Sequence, residues 1–169
     1  LLVPSWSIRP TLAAEGTYRA GHSRTLASGF GLPLAYGSAV MGISLCMIVK
    51  NEQDWVMGAV ESVRSIVDEV IIVDTGSTDS TLARAETLGA KVLKHQWSES
   101  FAEVRNVSLA AAREPWILVL DADERIAARD LPLIKEAAES GAADGYHLIQ
   151  RNYVFKNQII GWTPNAGEY

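Results

Sequence analysis

Short apolar runs alternate with helical patterns through the middle of the chain. Residues 43–49, 70–73, 90–93 and 116–120 are mostly apolar, which is typical of strands buried on both faces of a sheet. Between them, apolar or small residues recur at steps of three and four, which predicts three helices with one buried face each. The three sets are Val56, Ala59, Val60, Val63, Ile66 and Val67; Leu82, Ala85 and Leu88; and Phe101, Val104, Ser108, Ala111 and Ala112. This alternation predicts an α/β fold with a mostly parallel sheet and helices on both faces.

Turn residues mark where several of these elements begin and end. The Ser and Asp residues of the 74–79 turn can cap the second helix, and Gly89 can end it in a left-handed conformation. Pro115 stops the third helix. Beyond residue 120 the pattern predicts one more helix over residues 131–138 and one more strand over residues 145–153, followed by loop signals only.

The first 40 residues differ from the rest. They hold three Arg, one Glu and no Lys or Asp, and no helical or strand period persists in them. We expect residues 1–40 to be a disordered or non-native extension whose removal leaves the melting temperature nearly unchanged. Residues 41–169 are then the folded domain.

Composition and charge exclude several classes of protein. The chain has 169 residues, 48% of them hydrophobic, and a formal charge of −5 without a block of like charges. These values argue against binding to nucleic acid, and no apolar stretch is long enough to span a bilayer. We therefore expect a cytoplasmic protein, and a location at the inner face of the membrane is the alternative. Cys46, the single cysteine, lies in an apolar run and is expected to be a buried core residue.

Carboxylates follow three of the predicted strands. Lys50 and Glu52 follow the first, Asp74 and Asp79 the second, and an Asp-x-Asp pair the fourth. Because parallel strands end at one edge of the sheet, we expect these side chains to share a crevice there. Asp121 and Asp123 are two oxygen ligands without His or thiolate beside them, which suits Mg²⁺ or Mn²⁺ that also binds water and a diphosphate.

Four motifs in register resemble family 2 glycosyltransferases of the GT-A fold. They are MIVKNE at residues 47–52, VDTGSTD at 73–79, RN at 105–106 and WILVLDADE at 116–124. The subgroup that the chain most resembles contains lipooligosaccharide β-1,4-glucosyltransferase-like proteins, some of them fused to helical repeats. The resemblance implies a hexosyltransferase of bacterial cell-surface glycans. It implies a nucleotide-diphosphate sugar as donor, usually a UDP-sugar, and inversion at the anomeric carbon.

The same resemblance assigns roles to individual residues. Ile48, Lys50 and Glu52 would form the wall of the nucleoside pocket, and Asp74 and Asp79 its polar floor near base and ribose. Arg105 would approach the base or the diphosphate. Asp121 would bond the ribose or the waters of the metal, and Asp123 would ligate the metal. Many family members have a second Asp where this chain has Thr75, so the base contact of that loop departs from the family pattern.

The catalytic base is not among these residues. In the family, an Asp or Glu well after the Asp-x-Asp motif deprotonates the acceptor hydroxyl, whereas only 46 residues follow Asp123 here. Glu168 is a candidate, but we expect the base to lie beyond Tyr169 and the domain to be C-terminally truncated. The acceptor, whether glycan, lipid-linked or peptide, is left open.

Two other functions compete with this one. A non-catalytic, truncated module would bind the nucleotide sugar without transferring it. A phosphatase of the haloacid-dehalogenase type also uses Asp-x-Asp, with the first Asp as nucleophile. In that class, however, the motif ends the first strand, whereas here it ends the fourth.

Overall fold

The fold is known from a computed structural model, which describes residues 1–5, 41–140, 142–154 and 158–162. Most of the predicted N-terminal extension, residues 6–40, lies outside the described residues, as does Glu168. The expected division at residue 41 therefore stays a prediction for that segment.

A five-stranded sheet forms the centre of the domain. The strands are β1 Leu2–Pro4, β2 Ile43–Val49, β3 Glu69–Asp74, β4 Lys91–Lys94 and β5 Trp116–Val119. They run in the order β1-β5-β2-β3-β4, and β5, β2, β3 and β4 are mutually parallel while β1 is antiparallel to β5. The predicted α/β class and mostly parallel sheet are confirmed.

Helices cover both faces of this sheet, as predicted. They are α1 Val56–Val63, α2 Thr81–Thr87, α3 Phe101–Ala111 and α4 Leu131–Ser140, with a short 3-10 turn, Ala128–Asp130, before α4. Because side chains alternate along a strand, Leu45 and Met47 of β2 pack in the cluster that holds the buried face of α1. Cys46 points to the other face and donates a hydrogen bond to the carbonyl of Ser108 in α3, at 3.4 Å. Burial raises the pKa of its thiol to about 12, which fits the predicted inert core cysteine.

Two helix boundaries show how the pattern relates to the backbone. The period of α1 continues to Ile66 and Val67 in the sequence, but the helix ends at Val63 and the next three residues form a turn. Val67 is nevertheless buried, so it extends the apolar period without extending the helix. Gly89 has φ +71, in agreement with the predicted left-handed end of the second helix.

The region after α4 differs from the prediction. Residues 145–153 were expected to be one strand, whereas Tyr146 forms only an isolated bridge to Leu2, and strand β6 spans Arg151–Val154. It pairs antiparallel with β7, Gln158–Trp162, where only loop signals were found. A short hairpin outside the central sheet has only a few residues of pattern, and this explains the error.

The first residues of the chain also differ from the prediction. Leu2–Pro4 pairs with β5, and the side chain of Leu2 is fully buried in the main core. The expectation of a disordered or non-native extension over residues 1–40 stays a prediction, and the pairing and burial of these residues argue against it at positions 2–4. A three-residue edge strand is too short to show a period, so the sequence carried no signal for it.

Candidate donor-binding crevice

A crevice of 390 Å³ opens where β2 and β5 end. These neighbouring strands are the point at which the order of the sheet reverses, since the chain leaves β2 towards β3 on one side and reaches β5 on the other. The loops after them diverge, and such a point is where open α/β sheets bind ligands. The residues lining the crevice are Ile48, Val49, Lys50, Glu52, Thr75, Trp97, Phe101, Arg105, Asp121, Ala122 and Asp123.

Alternating burial directs the two aspartates into the crevice. Buried and exposed residues alternate here: Leu120 and Ala122 are each 4% exposed, whereas Asp121 and Asp123, which follow them in turn, are exposed. The backbone closes into a turn here, because the Glu124 N–H donates to the Asp121 carbonyl at 3.0 Å. The Glu124 carboxylate in turn accepts from the Asp121 N–H at 2.9 Å. The apolar residues thus anchor the loop and leave both aspartate side chains exposed at the crevice.

Arg105 reaches the crevice from α3. Its Nη2 lies 3.0 Å from Oδ1 of Asp121, and their side chains are 24% and 56% exposed, respectively. Its Nη1 is buried and has no hydrogen-bond partner among the described residues. Arg105 therefore pairs with one aspartate and keeps a donor for an anionic ligand in the same crevice.

Glu52 lies in the negative field of the aspartates. Burial raises the pKa of its carboxyl group, and the charges of Asp123, Asp79 and Asp121 raise it further. A cation bound in this crevice would offset that repulsion.

The wall formed by the end of β2 is held by the next loop. Ile48 is partly buried and Lys50 is exposed, and both line the crevice. Asn51, between Lys50 and Glu52, has φ 57, a conformation that Asn tolerates better than most residues. Its N–H donates to Ser77 Oγ at 2.9 Å, and its Oδ1 accepts from the Thr78 N–H at 2.8 Å, so the loops after β2 and β3 are joined.

Asp74 and Asp79 occupy this loop framework and are not among the lining residues. The Asp74 carboxylate is buried and accepts from the N–H groups of Gly76 and Ser77. The Asp79 carboxylate accepts from Gln53 and Thr81. Desolvation would raise the pKa of Asp79, but the hydrogen bonds from Thr81 and Gln53 outweigh it and leave the pKa lowered. The predicted contacts of both residues with base and ribose stay predictions.

The crevice is also lined by two aromatic residues that the sequence analysis did not assign to ligand binding. Trp97 and Phe101 meet edge to face with centroids 4.7 Å apart, and Phe101 is 69% exposed. In the sequence, Phe101 resembled a core position of α3. Its place directly after Ser100, which caps that helix, was the available signal that it could project from the helix end.

The carboxylates of the crevice fit a hard divalent cation whose other ligands are waters and a phosphate. Among the described residues, no group of three or more His, Cys, Asp or Glu side chains is arranged to hold a metal. Asp121 and Asp123 provide two exposed carboxylates, and Mg²⁺ is commonly bound by one or two carboxylates, waters and substrate phosphates. The residues present are therefore suited to a cation that arrives with its nucleotide.

The family is shown by comparison with known proteins. A sequence model described as "Glycosyl transferase family 2" matches residues 44–165, which include every lining residue of the crevice. The chain belongs to glycosyl transferase family 2.

Three relatives among the curated proteins match parts of this chain. A TPR repeat-containing protein of Synechococcus elongatus is 48% identical over 90 residues, which are 53% of this chain and 22% of that protein. An uncharacterized glycosyltransferase of Rickettsia felis is 47% identical over 89 residues, 50% of this chain and 29% of the relative. The lipopolysaccharide core biosynthesis glycosyltransferase LpsC of Rhizobium meliloti is 30% identical over 129 residues, 72% of this chain and 46% of that protein. The chain thus spans less than half the length of each.

A solved structure supports the α/β fold of this chain. A crystal structure described as that of a mycobacterial protein is 26% identical, with a TM-score of 0.51 over 64% of this chain and 39% of that one. Among the described residues, no helix is long and apolar enough to cross a membrane.

Proposed function

We propose that the crevice binds a nucleotide-diphosphate sugar, most favourably a UDP-sugar, for transfer to a hydroxyl acceptor with inversion. Membership in family 2 supports the reaction class. The observation that carries the assignment to this site is the placement of Asp121, Asp123 and Arg105 around one crevice at the ends of β2 and β5. A diphosphate needs cationic partners and metal ligands together, and this crevice supplies both.

Six of the lining residues have assigned roles in this proposal. Asp123 and Asp121 hold Mg²⁺ or Mn²⁺, and Arg105 donates from its free Nη1 to a diphosphate oxygen. A divalent cation there stabilises the negative charge that develops on the departing diphosphate. Lys50, Glu52 and Ile48 form the nucleoside wall, and Phe101 lines the same crevice.

The acceptor side of the reaction is a separate proposal. Inversion needs a base on the sugar face opposite the diphosphate, and we propose a carboxylate outside the described residues for this step. The LpsC relative, whose name places it in lipopolysaccharide core biosynthesis, supports a cell-surface glycan as acceptor and a place near the lipooligosaccharide glucosyltransferase-like subgroup.

Nucleotide-sugar binding and transfer can be tested in sequence. We expect UDP-sugars with Mn²⁺ to raise the melting temperature more than UDP-sugars with chelator do. A transfer assay would then compare the 169-residue chain with a form extended along its reading frame. If only the extended form transfers sugar, the result supports a 169-residue chain that binds the donor but needs further residues for catalysis.

Other outcomes favour the alternatives. Binding without turnover in either form favours the non-catalytic module. Release of phosphate from simple monoesters favours the phosphatase, although the Asp-x-Asp pair follows the fourth parallel strand and the family match speaks against it. Absence of stabilisation by any nucleotide sugar contradicts the proposal.

A further inference from the structure

Arg125 follows the acidic loop and folds back over it. Its Nη1 donates to the carbonyl of Ala122 at 2.9 Å and to the carbonyl of Glu124 at 2.7 Å. These two carbonyls stand immediately before and after Asp123. One guanidinium nitrogen therefore ties together the backbone on both sides of the proposed metal ligand.

The same guanidinium also joins this loop to α1. Its Nη2 donates to the carbonyl of Trp55, the residue that precedes the first turn of α1, at 2.8 Å. A second link is close by, since the Ile126 N–H donates to Ser62 Oγ of α1 at 3.3 Å. Residues 121–126 are thus attached to a helix that packs on the core, and a planar group with several donors is suited to three such carbonyls.

Gly58 provides the surface on which the guanidinium lies. A Cβ placed on Gly58 would be 2.7 Å from Nη2, 2.8 Å from Nε and 3.0 Å from Cζ of Arg125. These distances are too short for a real side chain, so any larger residue would displace the guanidinium. Gly58 lies in the first turn of α1, and glycine favours a helix less than alanine does. The helix therefore carries a less favourable residue at the position that Arg125 crosses.

We infer that Arg125, seated on Gly58, is a positioning residue that holds the Asp121–Asp123 loop in the geometry needed to bind a divalent cation with a nucleoside diphosphate. It acts through the backbone and touches neither the cation nor the nucleotide. The identity of the ligands in this inference rests on the proposed function. That Arg125 holds the loop rests only on contacts within the chain.

Substitutions at both residues test the inference by calorimetry with MnCl₂ and UDP. Arg125→Met should weaken UDP binding in Mn²⁺ by roughly 10- to 100-fold, the usual effect of removing a group that orients a metal ligand. Arg125→Lys keeps the charge and some donors, and should recover part of the affinity. Arg129→Met is the matched control, because the Arg129 side chain is 71% exposed and pairs with Asp130, which is not one of residues 121–126.

Gly58→Ala separates positioning from stability. Alanine should leave the melting temperature unchanged or raise it, because it favours the helix. The same change should weaken Mn²⁺-dependent UDP binding by about tenfold, because it displaces the guanidinium. A purely structural role for Arg125 would not produce a stable protein with lowered affinity.

Hydrogen exchange provides a measurement without ligand. The N–H groups of Asp121 and Glu124, which bond within the turn, should exchange faster in Arg125→Met and Gly58→Ala than in the parent and in Arg129→Met. Unchanged exchange, or parental affinity in Arg125→Met, would overturn the inference. If the parent binds neither Mn²⁺ nor UDP, the proposed function fails, and the exchange rates alone then decide whether Arg125 holds the loop.

Discussion

Arg105 and Asp121 form an ion pair of 3.0 Å that joins α3 to the loop after β5 at the crevice. In the proposed donor site, Nη2 of Arg105 therefore competes with a metal ion for Oδ1 of Asp121. A metal that uses Oδ1 of Asp121 would displace Nη2 of Arg105, which then becomes available to a diphosphate together with Nη1. Binding of the metal therefore frees a donor for the diphosphate, and we expect the two ligands to bind cooperatively.

Removal of Arg105 should have opposite effects on the two ligands. In Arg105→Met, Mn²⁺ alone should bind up to about fivefold more tightly, because an exposed ion pair of about 0–1 kcal/mol no longer competes for Asp121. UDP in the presence of Mn²⁺ should bind about tenfold more weakly, because a charge-assisted hydrogen bond is lost. Calorimetry with each ligand would measure both effects. Arg113→Met, an exposed arginine just after α3, is the control, and equal changes for both ligands would contradict the competition.

Asp123 should carry the dependence on metal. Asp123→Ala should lower the affinity for UDP in Mn²⁺ by more than the roughly 10- to 100-fold expected for residues that only orient the ligand. Its weak residual binding should no longer respond to chelator. Asp144→Ala, which removes an exposed aspartate elsewhere, should bind as the parent does. If Asp123→Ala bound Mn²⁺ and UDP like the parent, the assignment of the metal ligand would be wrong.

Glu52 should make stability depend on pH. Its folded-state pKa is raised, mainly by burial and then by Asp123, Asp79 and Asp121, so the folded protein binds more protons than the unfolded chain above the ordinary pKa of 4.5. The stability associated with Glu52 is therefore present below that value and is lost as pH rises through the folded-state pKa. In Glu52→Gln, the melting temperature relative to the parent should increase between about pH 4 and about pH 7. Melting temperatures of the parent and of Glu52→Gln across this range measure the trend, and a constant difference between them would contradict it.

Leu2 should stabilise the domain from the edge strand. It is fully buried beside β5, whereas Leu1 is 42% exposed. Leu2→Ala should lower the free energy of unfolding by about 2 kcal/mol or more, and Leu1→Ala by about 0.5 kcal/mol at most. Denaturant unfolding would measure both. This burial argues against the expectation that removal of residues 1–40 leaves the melting temperature nearly unchanged, and equal stability of the two variants would support that expectation.

The sequence determined the layers of the fold and the position of the acidic pair. Apolar runs such as residues 43–49 and the helical period from Val56 to Val63 encode which faces are buried, because burial of apolar surface is the dominant favourable term in folding. An Asp-x-Asp pair directly after such a run must lie at the end of a strand. The shared edge of the parallel strands then brings Lys50, Glu52, Asp121 and Asp123 to one crevice.

Only the tertiary structure decided which polar groups meet one another. Asp74 and Asp79 follow β3 as the sequence implied, but their carboxylates accept from backbone N–H groups, those of their own loop and, for Asp79, also that of Gln53 in the loop after β2. The bond from Arg125 to Trp55 joins residues 70 positions apart and needs a glycine on α1, and no periodic pattern records such a pair. Leu2 reaches β5 through three residues of strand, too few to carry a period. Hydrophobic spacing specifies which face of an element is buried, whereas these contacts depend on the course of the loops and on helix rotation, which are set only when the whole chain packs.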